Sequence, residues 1–211
     1  MTATVFDDAL GGAHCVLELA GGDRITLPVS RWRADPDHAD ELLLSRCSGP
    51  TLDVGCGPGR LIGTLVTRGV PALGVDVSPV AVRLTRRRGA LAVRRDVFDR
   101  LPGEGRWRHV LLADGNVGIG GDPGRLLRRV AELLGRGGTA LVELDPPGTG
   151  LRRDQARLTA PGSPCGREPG TWFPWARLGA DATASLAEAA GLTMRWRAEL
   201  AGRWFAELVR E

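Results

Sequence analysis

Residues 52–61 read LDVGCGPGRL, and this run decides the fold. An apolar stretch, Thr51 to Val54, leads into glycines at alternate positions, Gly55, Gly57 and Gly59, with Asp53 just before them. Twenty-one residues beyond Gly55 a second apolar run, Ala72-Leu73-Gly74-Val75, ends in Asp76. Glycines after a strand let the chain turn sharply and let a ligand lie against bare backbone. An acid at the end of the next strand can bind a ribose diol. The pattern therefore reads as a nucleoside cofactor site on a parallel α/β sheet.

The dinucleotide fingerprint is G-x-G-x-x-G, whose third glycine packs a helix on the sheet beside a pyrophosphate. Here the spacing is G-x-G-x-G, and Arg60 stands where that third glycine would be. A carboxylate at Asp53 would repel a pyrophosphate but could help hold the amino group of a methionyl moiety. D-x-G-x-G-x-G thus favours a cationic, phosphate-free ligand.

On these residues the chain resembles the class I (Rossmann-like) S-adenosylmethionine-dependent methyltransferases, over most of its length. Asp53, Gly55, Gly57 and Gly59 match the first motif, with Cys56 as the small residue that the loop needs. Asp76, in GVDVSPVAV, matches the ribose-binding acid, and Val77 the residue against the adenine. Asp96-Val97, in RRDVFD, matches the pair at the adenine edge. Asp114, in LLADGN, matches the end of the fourth core strand, and RRVAELLGRGGTALVEL (128–144) the helix, Gly-Gly turn and fifth strand. The resemblance implies S-adenosylmethionine as cofactor, with release of S-adenosylhomocysteine. It also implies a doubly wound, mostly parallel seven-stranded sheet closed by an antiparallel hairpin.

Composition sets the outer bounds. A chain of 211 residues, 43% hydrophobic and 25% charged, suits one packed domain. No run approaches the roughly 18 apolar residues of a membrane span. The acidic start MTATVFDDALGG lacks the basic and apolar regions of a signal peptide, so a cytoplasmic protein is expected. Cys15, Cys47, Cys56 and Cys165 form no C-x-x-C pair, and neither a disulfide frame nor a metal site is expected. Every basic residue is arginine and tyrosine is absent, which fits a GC-rich genome and removes lysine and tyrosine chemistry. The net charge is only +3. Arg86, Arg87, Arg88, Arg94 and Arg95 form the one dense basic patch, read as a solvated helix end more than as an RNA-tracking surface.

Outward from the glycine loop, strands are expected at 51–55, 72–76, 91–95, 109–113 and 139–144. Helices are expected at 60–68, from Ser78-Pro79 to Arg88, at 123–134 and from Asp181 to Ala190. Four stretches divide the one domain. Residues 1–50 should form a hairpin (13–20 with 24–30) and a helix (36–47) over the pocket, and 51–145 the cofactor-binding core. Residues 146–180 read as an insertion or lid in which RRDQARLTA pairs with TWFPWARL, and 181–211 as a closing helix and hairpin.

Ligands of open α/β sheets bind at the carboxyl ends of the strands. His109 opens its strand, roughly 16 Å from that edge at about 3.3 Å per residue, and is set aside as a base. The candidate catalytic residues are His38, near the pocket on the preceding helix, with Asp114 and Asn116 flanking the methyl donor. Asn116, Asp145, Trp172 and Trp175 are the candidate acceptor contacts, the aromatics as a lid with Phe173. Trp32 could join from the N-terminal side, though packing is its plainer role. Methyl transfer is an in-line displacement needing alignment and desolvation more than a strong base, so no triad is expected. The leading reading is a methyltransferase of a small-molecule acceptor, monomeric or homodimeric, without nucleic acid or membrane partners. The alternatives are an RNA or protein methyltransferase on the same fold, a non-catalytic S-adenosylmethionine-binding protein and, against the glycine spacing, a nicotinamide oxidoreductase.

Overall fold

The computed structural model describes residues 5–159 and 170–211. In chain order the elements are α1 (Asp7–Leu10), β1 (Val16–Leu19), β2 (Arg24–Thr26), α2 (Val29–Arg33), α3 (Glu41–Leu44), β3 (Thr51–Val54), α4 (Arg60–Thr67), β4 (Ala72–Asp76), α5 (Pro79–Arg87) and β5 (Leu91–Arg94). They continue with β6 (Trp107–Leu112), a 3-10 turn (Asn116–Gly118), α6 (Pro123–Leu133), β7 (Leu134–Leu144), β8 (Leu151–Thr159), β9 (Phe173–Leu178), α7 (Thr183–Glu188), β10 (Leu192–Leu200) and β11 (Arg203–Arg210). Among the described residues no helix is long and apolar enough to cross a membrane.

Seven strands form one sheet in the order β10-β11-β7-β6-β3-β4-β5. Strands β3 to β7 run parallel, while β11 pairs antiparallel with β7 and β10 with β11. This is the expected doubly wound sheet with its closing hairpin. β3 lies inside it, and all four of its residues are buried because helices cover both faces. Alternate side chains go to opposite faces. Leu52, Val54, Val110, Leu112, Ala140 and Val142 pack with Leu126, Leu127 and Val130 of α6. Leu111, Leu141 and Phe205 pack with Leu43 and Leu44 of α3 and with Leu61 and Leu65 of α4. Helix starts follow local chemistry. The Ser78 hydroxyl accepts from Ala81 N–H with Pro79 in the first turn, and the Asp122 carboxylate accepts from Gly124 and Arg125 N–H before Pro123 opens α6.

A second, four-stranded antiparallel sheet, β2-β1-β8-β9, stands over the carboxyl edge of the first. Two hairpins read from the sequence build it, and they join through β1 and β8, with Leu17 opposite Leu158 and Leu19 opposite Ala156. Its apolar cluster, Leu17, Leu19, Ala156, Leu158 and Phe173, takes in Phe6, Leu27 and Trp175. Backbone bridges Ile119–Trp175 and Asp145–Gly179 fasten it to the core.

Three local expectations are corrected. The helix over 36–47 shrinks to α3, because the Asp37 carboxylate accepts from Ala39 and Asp40 N–H and that of Asp40 from Asp37 N–H, which favours a turn. β7 starts at Leu134, five residues before 139, with a register shift opposite Trp107 and His109. A Cβ at Gly138 would meet Trp107 O at 2.9 Å, so glycine is needed there. Cys15 is disulfide-bonded, which its isolated spacing does not signal, whereas Cys47 and Cys56 are free. Cys165 and residues 160–169 of the insertion lie outside the described residues.

Candidate active site

A cavity of about 540 Å³ opens between the carboxyl edge of the large sheet and the second sheet. The glycine loop forms its floor. Gly55, Gly57 and Gly59 have φ of +70°, +53° and +84°, in the left-handed region. A Cβ at Gly55 would lie 2.7 Å from Asn116 Nδ2, and one at Gly59 2.8 Å from Thr85 Cα. Asn116 Nδ2 donates to the carbonyls of Val54 and Gly55, each at 2.9 Å, so this side chain braces the loop. Above the loop lies α1, where Leu10 Cδ2 would stand 3.7 Å from a Cβ on Gly57.

Four of the acids singled out from sequence line this cavity: Asp53, Asp76, Asp96 and Asp114. Asp76 accepts from Gly57 N–H at 3.0 Å and from Ser78 N–H at 2.8 Å; burial raises its pKa and these donors oppose the rise. Asp96 accepts from Phe98 N–H at 3.0 Å, beside a Phe98 ring covered by the Arg125 guanidinium at 3.8 Å. Val77, Val97 and Cys56 line the same space. Asp53 is 3% exposed, and none of the described residues donates a hydrogen bond to its carboxylate. Burial pushes its pKa up to about 7, with the Asp114 charge adding to the rise and Arg60 opposing it.

Asp114 is not a free base. Its Oδ1 lies 2.6 Å from Arg31 Nη2 and its Oδ2 2.7 Å from Arg60 Nη2. The pairs belong to a larger network. Arg60, 3% exposed, also pairs with the fully buried Asp40, and Arg203 reaches Asp40 at 3.0 Å, Glu143 at 2.9 Å and Asp37 at 3.1 Å. Glu143 in turn accepts from Asp114 N–H at 2.7 Å. Asp114 has φ +55°, a conformation that aspartate tolerates better than most side chains. The sequence does not signal Arg31 and Arg60 as partners, although acids converging on one buried edge demand counter-ions.

The other wall is apolar and comes from the N-terminal elements and the second sheet, including Phe6, Leu17, Leu27, Trp32, Phe173 and Trp175. Phe6, Phe173 and Trp175 form a trio with ring centroids 5.6 to 6.2 Å apart. Phe6, Leu17 and Leu27 carry no chemical motif, so only the fold reveals them.

Three candidates lie away from the cavity lining. His38 is exposed in the turn before α3, because that segment is no longer a helix laid over the pocket. Asp145 is held by Arg177 at 2.8 Å, and its backbone joins the two sheets. Trp172, 42% exposed, precedes β9 and lies under the Arg157 guanidinium at 4.7 Å. His109 is buried between Ser48 N–H at 3.1 Å and Thr139 Oγ1 at 2.8 Å. Burial and then Arg108 lower its pKa to about 4, consistent with a packing role. The basic patch is partly spent on the fold itself: Arg86 donates to Ala92 O, Arg94 to Val77 O and Arg88 to Arg33 O.

The seven-stranded sheet, with the glycine loop and acids at its carboxyl edge, has the class I methyltransferase fold. Residues 51–138 match the family model described as a methyltransferase domain, which covers the strands and loops that carry these acids. A methyltransferase of Bacteroides fragilis, complexed with S-adenosyl-L-homocysteine, has a similar structure: TM-score 0.75 at 17% identity, covering 98% of this chain and 93% of that one. The SAM-bound amino pentose methyltransferase CalS10 of Micromonospora echinaspora, involved in calicheamicin biosynthesis, superposes with TM-score 0.62 at 19% identity over 86% and 94% of the two chains. The 1,6-didemethyltoxoflavin-N1-methyltransferase of Burkholderia thailandensis gives 0.59 at 19% over 81% and 74%.

Proposed function

We propose that the cavity binds S-adenosylmethionine and that the protein transfers its methyl group to a small-molecule acceptor. One observation carries the reading: a single cavity joins a glycine loop and unpaired acid to an apolar aromatic wall. The residues fit the cofactor. Asp76 retains acceptor capacity for a ribose diol beside its two N–H partners, Val77 and Val97 offer apolar contact to a base, and Asp53 is a buried acid without a donor. Neighbours of the same fold act on an amino pentose and on 1,6-didemethyltoxoflavin, both small molecules.

When bound, S-adenosylmethionine would supply an activated methyl group for in-line displacement by an acceptor lone pair, the carbon–sulfur electron pair staying on sulfur as S-adenosylhomocysteine. The protein's part is placement. Asp53 offers its carboxylate to a cation, Asn116 holds the glycine loop in shape, and Phe6, Phe173 and Trp175 exclude water from the acceptor side. Asp114 fixes the end of β6 through its two guanidinium partners.

Fractionated extract tests the acceptor class. S-Adenosylhomocysteine release should be stimulated by the low-molecular-weight fraction. Stimulation by the RNA or protein fraction alone would overturn the small-molecule reading.

A further inference from the structure

Helix α5 and the last residue of the edge strand β5 form a second recess, of about 530 Å³, lined by Pro79, Val82, Arg83, Arg86, Arg87 and Arg94. All four arginines are exposed. Among the described residues no carboxylate pairs with any of them, whereas the adjacent Arg88 pairs with Asp35 and donates to Arg33 O. The four charges exceed the net charge of the whole chain, which is +3.

A helix end explains only part of this cluster. Arg86 and Arg87 lie in the last turn of α5, where cations complement the helix dipole. Arg83 lies one turn earlier, three and four residues from them, a spacing at which like charges repel. Arg94 comes from a different element. Its Nε donates to Val77 O at 3.1 Å, and Arg86 donates from Nε and Nη2 to Ala92 O at 3.2 and 2.8 Å. Backbone carbonyls thus anchor two of the guanidinium groups and leave N–H donors of each unspent.

Guanidinium forks match phosphate oxygens in charge and geometry. Helix neighbours at this spacing have Cβ atoms roughly 5–6 Å apart, so an anion with several charges on a short chain meets several arginines at once. No aromatic ring lines the recess, so a nucleic-acid base would find no stacking partner there. We propose that the recess is a binding site for a compact polyphosphate, a di- or triphosphate group. It is separate from the cofactor cavity, with which it shares no lining residue.

Calorimetry on the full chain at fixed ionic strength tests the site, with tripolyphosphate and orthophosphate as probes, in the presence and absence of excess S-adenosylhomocysteine. Tripolyphosphate should bind at least about tenfold more tightly than orthophosphate, the worth of one further charge-assisted contact, and equally well with and without S-adenosylhomocysteine. Arg83→Gln/Arg87→Gln should weaken tripolyphosphate binding at least about tenfold and leave the affinity for S-adenosylhomocysteine unchanged. Arg106→Gln/Arg136→Gln removes the same charge outside the recess and should leave tripolyphosphate binding as it was. Equal losses in the two double variants, or displacement of tripolyphosphate by S-adenosylhomocysteine, would overturn the proposal. Tighter binding of a short single-stranded RNA or of a hexaglutamate peptide would overturn it too, by assigning the recess to another class of partner.

Discussion

Arg31, on the short helix α2, sets its Nη2 2.6 Å from Oδ1 of Asp114 at the end of β6, so an ion pair ties the N-terminal segment to the carboxyl edge of the sheet. Arg60 holds the other oxygen of the same carboxylate and also reaches Asp40. The two arginines should not be equivalent. Arg60 is 3% exposed, and its loss strips buried Asp40 and Asp114 of a shared cation, whereas the Arg31 side chain is 26% exposed and its loss leaves Asp114 with Arg60. Arg60→Met should cost about 3 kcal/mol, a fall in Tm on the order of 10 °C for a chain of this size, and Arg31→Met about 1 kcal/mol. Thermal melts of both variants check the order; an equal or reversed order would contradict the network as drawn.

Asp53 should make cofactor binding pH-dependent. Its pKa is about 7 in the ligand-free site, well above that of an exposed aspartate, because it is buried without a donor. A cationic ligand favours the ionised form, so affinity should fall as pH drops below about 7, towards tenfold per unit. Binding near pH 6.5 should release a proton, seen as a dependence of the calorimetric heat on buffer ionisation enthalpy. Asp53→Asn should abolish both effects.

The same acid carries a stability signature of defined sign. Between the unfolded aspartate pKa and about 7 the folded protein holds the extra proton, so Asp53's contribution is present at low pH and is lost as pH rises through about 7. Asp53→Asn should therefore raise the Tm of the ligand-free protein at pH 8, with a gain that shrinks towards pH 5. A gain that grows on acidification would show that the carboxylate is not buried unpaired.

The glycines separate packing from binding. Gly59→Ala drives a Cβ to 2.8 Å from backbone Thr85 Cα at φ +84° and should cost several kcal/mol. At Gly57 the nearest atom to a Cβ is 3.7 Å away, so Gly57→Ala should cost only the left-handed backbone penalty of about 1 kcal/mol and leave a folded protein with weakened cofactor binding. Melting and titration of the two variants give the comparison.

Local chemistry made the core legible. The strand–glycine–helix run at 51–60, the acid ending β4 and the Ser78-Pro79 and Pro123 helix starts are each written within a few residues, and all lie where the sequence places them. What escaped was long-range. β1 and β8 pair across more than a hundred residues, and nothing in either hairpin marks which edge will join the other. The burial of Arg60 and the use of Asn116 as a brace for the Val54 and Gly55 carbonyls likewise depend on partners brought together only by the fold. His38 was misplaced because Asp37 and Asp40 spend their side chains on a turn where apolar spacing suggested a helix. His38→Ala should accordingly leave cofactor affinity and turnover unchanged.

Calorimetric titration with S-adenosylmethionine, S-adenosylhomocysteine and NADH, repeated on Asp76→Ala, tests the central claim most directly. The structure predicts micromolar binding of the first two ligands, its loss in the variant, and no heat from NADH. Binding of NADH without S-adenosylmethionine would contradict the account.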